Sequence, residues 1–231
     1  MAIRLFNCDD VDKQGVFTLI HGPTGSGKTT SLGTVADLTS AFLISAEGGA
    51  LSLKGSGLAG CEVNNMAEIQ EALHWLIGSE EARGINCVAL DSLSEIADFC
   101  LAEELEQNKD GRKAYGAMAT RMQGVVKSFR DYLPGRDVIM TSRHALIQDD
   151  AGRLHYGPDL PGKQLDTKLP YWFDAVLALQ VGKGEDESIR RVFQTFNCGS
   201  YLASVRLPYN KPALPPFMEP NLAKLFRAIL D

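Results

Sequence analysis

Eight consecutive residues, Gly22-Pro23-Thr24-Gly25-Ser26-Gly27-Lys28-Thr29, carry the densest chemistry in this chain. They fit the phosphate-binding pattern GxxxxGK[ST] without mismatch. Glycines at these positions let the backbone turn tightly round a phosphate chain with successive N–H groups pointing inward. The start of a following helix adds to the positive field. Lys28 would reach the β- and γ-phosphates, the Thr29 hydroxyl would hold Mg²⁺, and Thr30 completes the contact run. Such a loop needs a strand entering it and a helix leaving it. The apolar run Val16-Phe17-Thr18-Leu19-Ile20 supplies the first, and residues 29–38 read as the second. The spacing predicts a nucleoside triphosphate site.

Hydrolysis requires more than binding: a metal anchor and a group that orients water. Cys87-Val88-Ala89-Leu90-Asp91 is an apolar strand closing on a carboxylate, which would place Asp91 near Thr29 at the metal. Two acids compete for the role of base. Glu47 follows the apolar strand Phe42-Leu43-Ile44-Ser45 and precedes Gly48-Gly49, where a loop would turn over the nucleotide. Glu95 lies three residues after Ser92, and Ser-x-x-Glu is also a helix capping box. Glu47 is the stronger candidate; Glu95 reads first as a cap. Lys28, Glu47 and Asp91 therefore form the expected catalytic set, with Thr29 and Asp91 at the metal.

The surrounding elements are those of an α/β domain. Strands are expected at 41–45, 86–90, 137–141 and 174–181, and helices at 66–77 and 93–106. Tyr115, Met118, Met122, Val125, Phe129 and Leu133 step by three and four through a further helix, ended by Pro134-Gly135. Residues 107–113 are polar and read as a mobile loop. Strands separated by helices imply a mostly parallel central sheet with helices on both faces. The tail changes character: 189–196 reads as an antiparallel strand, 207–220 as extended and proline-rich, and 221–230 as an amphipathic helix. The expectation is one domain over 1–231, with a core at about 16–181 and a C-terminal antiparallel extension at 182–231.

Two segments follow the fourth strand. Thr141-Ser142-Arg143-His144 ends it, and Ser142 or Arg143 could sense the γ-phosphate; a plain strand-to-loop transition is the alternative. Residues 148–168 lose all periodicity, and a loop that long inside a compact domain is usually functional or disordered. Arg153, His155, Tyr156 and Lys163 in it suit phosphate contact and base stacking. Asp149, Asp150, Asp159 and Asp166 bring its charge near zero. The basic series Arg112, Lys113, Arg121, Lys127 and Arg130 reads as a solvated helix face, and Tyr171-Trp172-Phe173 as core packing.

Composition bounds the rest. A length of 231 residues at 45% hydrophobic content allows one sizeable domain, and a formal charge of -6 argues against coating nucleic acid by bulk charge. Cys8, Cys61, Cys87, Cys100 and Cys198 are odd in number and never in a CxxC pair, which suggests reduced thiols in a cytoplasmic setting. Four dispersed histidines offer no metal cluster. Met1-Ala2-Ile3-Arg4 lacks the apolar stretch of a signal peptide.

In order and spacing, Gly22 through Thr30, then Phe42-Leu43-Ile44-Ser45-Ala46-Glu47, then Val88-Ala89-Leu90-Asp91-Ser92 resemble the core of RecA-like recombinases. The short chain, the Asp91-Ser92-Leu93-Ser94-Glu95 segment and the Glu219-Pro220-Asn221-Leu222 ending look more like the phage-encoded RecA-core single-strand annealing proteins. The resemblance implies a RecA-like P-loop fold and an ATPase using ATP and Mg²⁺, with Glu47 catalytic. It further implies action on single-stranded DNA in recombination or annealing, stimulation by that DNA, and a host-cytoplasm location. The partners it implies are the DNA, a single-strand-binding protein and further copies of the chain in a ring or filament. Such cores complete their sites across subunits, which makes Arg206 and Lys211 the trans-acting candidates. One departure stands out: Ser204-Val205-Arg206 occupies the place of a Lys-Asp-Arg triplet common in that branch. Two rival readings remain, a P-loop NTPase of another branch with a protein partner and an ATP-binding switch without turnover.

Overall fold

A computed structural model describes residues 15–148, 151–184 and 186–231. Within these, ten strands join in the order β10-β8-β7-β1-β5-β4-β2-β3, with β6 added to β5 and β9 to β7. The centre is parallel: β1 (Phe17–His21) lies between β5 (Asp137–Gln148) and β7 (Ala175–Lys183), and β5 continues to β4 (Cys87–Asp91), β2 (Ala41–Ser45) and β3 (Ala59–Glu62). The additions β6 (Leu154–Asp159), β8 (Ile189–Gln194), β9 (Ser204–Val205) and β10 (Phe217–Met218) are antiparallel. This is the mixed α/β architecture that alternating strands and helices imply, with a mostly parallel sheet and an antiparallel C-terminal edge.

Strand β1 is buried along its whole length because both faces are covered. Phe17 and Leu19 point into one core with Val88, Leu90, Val138 and Met140. Over that face lie α2 (Met66–Gly78), α3 (Leu93–Gln107) and α4 (Gly111–Tyr132), through Ile69, Leu73, Ile96, Met118, Met122 and Phe129. Val16 and Ile20 point into the other core with Leu43, Ala89, Ile139 and Leu177. Period-two alternation thus divides each central strand between two cores.

The second core corrects the expected helix at 29–38. Helix α1 covers only Lys28–Leu32, and Gly33 caps it. The chain then leaves the helix because α6 (Leu222–Leu230) docks there. The Leu222 N–H donates to Thr34 Oγ1 at 2.8 Å and the Ala223 N–H to the Thr34 carbonyl at 3.1 Å. Leu222, Leu225, Phe226 and Ile229 of α6 cover the sheet face that a longer α1 would have taken. Each such side chain contributes about 1.5–3 kcal/mol when fully buried.

Two loops are also shorter than expected. Asp110 caps α4 by accepting from the Arg112 N–H at 3.0 Å, so the 107–113 segment is largely helical. Strand β5 runs twelve residues and returns as β6, so 148–168 is not one irregular loop. Leu146 pairs Tyr156 and Gln148 pairs Leu154. Ile147 packs over Gly157, where a Cβ would stand 2.5 Å from its Cδ1. A short helix α5 (Lys163–Lys168) follows. Asp149 and Asp150 lie outside the described residues, as do Met1 to Arg4 and Cys8. No described helix is long and apolar enough to cross a membrane.

Candidate nucleotide-binding site

Strand β1 delivers the chain into the 22–29 loop against β7. A Cβ on Gly22 would stand 2.7 Å from the Leu179 carbonyl oxygen, so the loop approaches β7 more closely than a side chain allows. Gly27 has φ 99°, a conformation that favours glycine. The Lys28 ammonium donates to the Gly22 and Pro23 carbonyls at 3.0 and 3.1 Å, which folds it back over the loop. Burial pushes its pKa below the ordinary lysine value, opposed by the charges of Glu47 and Asp91.

Strand β5 separates β1 from β4, and Asp91 ends β4 at the level of the loop. It is 1% exposed. Thr29 Oγ1 donates to Asp91 Oδ2 at 2.5 Å, and Thr141 Oγ1 of β5 donates to Oδ1. Burial raises the Asp91 pKa, while the two hydroxyls pull it down. A hydroxyl and a carboxylate are the hard oxygen donors that magnesium prefers. Ser26 Oγ, 1% exposed, has no hydrogen-bond partner in the protein, an acceptor-seeking group inside the loop itself. Donor chemistry and orphaned hydroxyl together fit a metal-bound polyphosphate, with Thr29 and Asp91 as the residues that would hold the metal.

Pairing of Ser45 with Asp91 brings the end of β2 alongside β4. The Ala46 and Glu47 N–H groups both donate to the Asp91 carbonyl, at 2.7 and 3.3 Å. Ser92 Oγ donates to Glu47 Oε1, which fixes this exposed carboxylate. Ser92 also caps α3 through the Glu95 N–H at 3.5 Å. Glu95 is more than a cap, however: its side chain and that of Glu47 line one cleft of about 560 Å³, together with Thr24, Gly25, Gly27, Lys28, Thr29, Thr30 and Arg143.

The two sensor candidates part company. Arg143 reaches the cleft, steered by Asp98 at 2.5 Å and anchored by its N–H on Ser94 Oγ at 2.9 Å. Ser142 pairs with His21 behind the loop, fully buried, and its hydroxyl has no protein partner. His21 Nε2 donates to the Leu202 carbonyl at 2.7 Å; a carbonyl can only accept, so Nε2 carries the proton. Full burial lowers the His21 pKa to about 4. His144 on the same strand face is also lowered by burial and by Lys28.

The basic and aromatic residues after β5 are only partly brought together. Arg153 is exposed near the hairpin tip and His155 half-buried on β6. Tyr156 is half-buried in an aromatic cluster, its ring 5.1 Å from that of His144 and 5.1 Å from that of Tyr201, which themselves lie 6.1 Å apart. The Lys163 backbone opens α5, and its side chain lies outside the described residues. Arg206 and Lys211 are away from this chain's cleft. Arg206 donates to the Tyr171 carbonyl at 2.7 Å and pairs with Asp174 at 3.3 Å. Lys211 caps the end of α6 through the Ala228 and Ile229 carbonyls at 3.1 and 3.0 Å. On the basic helix, Arg112, Lys113, Lys127 and Arg130 are exposed, as a solvated face requires, while Arg121 bridges Glu103 and Glu104.

One cleft residue escaped the sequence reading. Arg191 of β8 lines the cleft, and its Nε donates to the Ser26 carbonyl at 2.9 Å. Counting back by two from buried Phe193 puts Arg191, not Arg190, on the loop's side of the sheet. That signal appears only once β8 is known to flank β7.

A parallel sheet whose central strand feeds a GxxxxGKT loop, with a carboxylate strand one place removed and bonded to the loop threonine, defines a P-loop nucleoside triphosphatase. The profile of a family described as AAA domain matches residues 14–207, most of the chain, and the chain belongs to that family. Proteins of this class bind nucleotide and as a rule hydrolyse ATP with magnesium. No curated protein matches the chain.

Proposed function

We propose that this chain is a magnesium-dependent ATPase with a RecA-like core that acts on single-stranded DNA in phage-type recombination or strand annealing. The observation that carries the ATPase reading is the 2.5 Å contact of Thr29 with Asp91, with Glu47 on the same cleft. Thr29 and Asp91 would hold a magnesium ion, which would supply positive charge against the phosphate chain. Lys28 supplies a further positive charge to them. Glu47, steadied by Ser92, accepts a hydrogen bond from the attacking water and aligns it with the γ-phosphate. Arg143 stands on the same wall and answers to the γ-phosphate.

Support for the DNA reading comes from covalent continuity. Strand β5 carries Arg143 at the cleft and then runs without a break into the β5–β6 hairpin. Arg143 and Gln148 are five residue steps apart along the strand, roughly 17 Å at the usual rise. A shift at Arg143 therefore has a stiff route to Arg153 and His155. Self-association into a ring or filament belongs to the same proposal, with Arg206 as the residue that would face a neighbouring copy, and a single-strand-binding protein is the accessory partner.

A second reading has its own observation. Leu146 and Leu154 share one face of the hairpin and are 52% and 60% exposed, which suits a protein partner better than a phosphate backbone. Phosphate release measured with and without single-stranded DNA separates the two. Stimulation supports the DNA reading; a rate indifferent to DNA favours a protein partner.

A further inference from the structure

The nucleotide cleft has two ends, and the sheet order tells them apart. Asp91 and Glu47 belong to the β4–β2 side of β1, where the metal and the attacked phosphate must lie. Arg191 comes from β8, on the opposite side of β1 beyond β7. In a P-loop the lysine serves the β- and γ-phosphates, while the backbone cradles the α- and β-phosphates. The β8 end of this cleft is therefore the end that receives the α-phosphate.

Arg191 is built into that end. Its Nε is held by the Ser26 carbonyl at 2.9 Å. Its Cδ and Nε both lie 3.3 Å from the point where a Gly27 Cβ would stand, so the side chain lies flat against the loop. Among the described residues, no protein group takes its two terminal nitrogens, and no carboxylate pairs with it. An arginine fixed at Nε presents those nitrogens as a planar pair, the geometry that matches two phosphate oxygens.

We propose that Arg191 is a ligand-contacting residue that binds the α-phosphate of the nucleotide in cis, a second cation complementing Lys28 at the opposite end of the polyphosphate. The proposal rests on the nucleotide reading above. It makes Arg191 indifferent to the γ-phosphate, so ATP and ADP should depend on it equally.

The test uses Arg191→Gln and Arg191→Lys in the full chain. Glutamine Nε2 stands as many bonds from Cα as arginine Nε, so Arg191→Gln keeps a donor for Ser26 and removes only the charge and the fork. Charged hydrogen bonds of this type correspond to roughly a 10- to 100-fold change in affinity. Equilibrium titration should show that loss for ATP and ADP alike in Arg191→Gln, at an unchanged melting temperature without nucleotide. Arg191→Lys should recover part of it. In phosphorus NMR of bound ADP, the α resonance should shift in Arg191→Gln and the β resonance should move far less. Equal affinity of parent and Arg191→Gln, a loss confined to ATP, or a loss that tracks a lowered melting temperature would each overturn the proposal. A parent chain that binds neither nucleotide removes the underlying reading instead, and Lys28→Ala provides the matched control for that case.

Discussion

Replacing Glu47 with glutamine tests the hydrolytic assignment with little disturbance elsewhere. The Glu47 oxygen only accepts a bond from Ser92, and the glutamine amide oxygen can accept the same bond. The side chain is exposed and its backbone N–H is held by the Asp91 carbonyl, so the fold has no reason to change. What disappears is the capacity to take a proton from water. A positioned base contributes about two to four orders of magnitude in rate, equivalent to roughly 3–5 kcal/mol of barrier. Affinity should move the other way, if at all. Glu47 is an anion lining a cleft that receives a triphosphate, and its removal relieves repulsion. Fluorescent-nucleotide titration and phosphate release measured on the same preparation give both quantities. The paired control is Glu95→Gln, which keeps the Ser92 cap on the Glu95 N–H and should cost far less in rate. A larger loss in Glu95→Gln than in Glu47→Gln would refute the assignment and move the base to Glu95.

Asp91→Asn should abolish turnover while leaving the nucleotide-free protein at least as stable at neutral pH. Burial raises the Asp91 pKa, so the folded state holds the proton more tightly than the unfolded one, and stability falls as pH rises through the raised value. A clear drop in melting temperature at neutral pH would contradict this. His21 has the opposite sign. Its pKa falls from 6.5 to about 4, so the unfolded state binds more protons between those values. Stability should be lost as pH drops through that window, by about 3 kcal/mol in all, and His21→Gln should flatten the loss in urea titrations at stepped pH. Arg153→Ala with Lys163→Ala should weaken single-strand binding and reduce the slope against log salt by about 1 to 2, with basal nucleotide affinity unchanged. An unchanged slope would place the DNA surface elsewhere.

The phosphate loop and its supports were legible because local rules decide them. The 22–29 pattern, the apolar strands on either side of the sheet centre and the helical stripe at 66–77 each act within a few residues. Asp91 was readable from a strand ending on a carboxylate, and its bond to Thr29 follows from the parallel register. What depended on distant chain was not readable. Helix α1 stops early because α6, almost two hundred residues later, claims Thr34. The β5–β6 hairpin was not readable, because the sequence Asp149-Asp150-Ala151-Gly152 between its strands reads as a break in periodicity. The clustering of Tyr156 with His144 and Tyr201 was not readable either, because Tyr201 is brought back by the C-terminal segment. Arg191 was invisible for the same reason, since its value depends on β8 lying beside the loop.

The proposal that stands or falls first is that this cleft turns over ATP at a rate controlled by single-stranded DNA. Phosphate release from ATP by the purified chain with magnesium, titrated with single-stranded DNA, tests it most directly. The account predicts turnover that rises with DNA and vanishes in a folded Lys28→Ala protein. Turnover that persists in Lys28→Ala, or a parent chain that releases no phosphate at any DNA concentration, would contradict it.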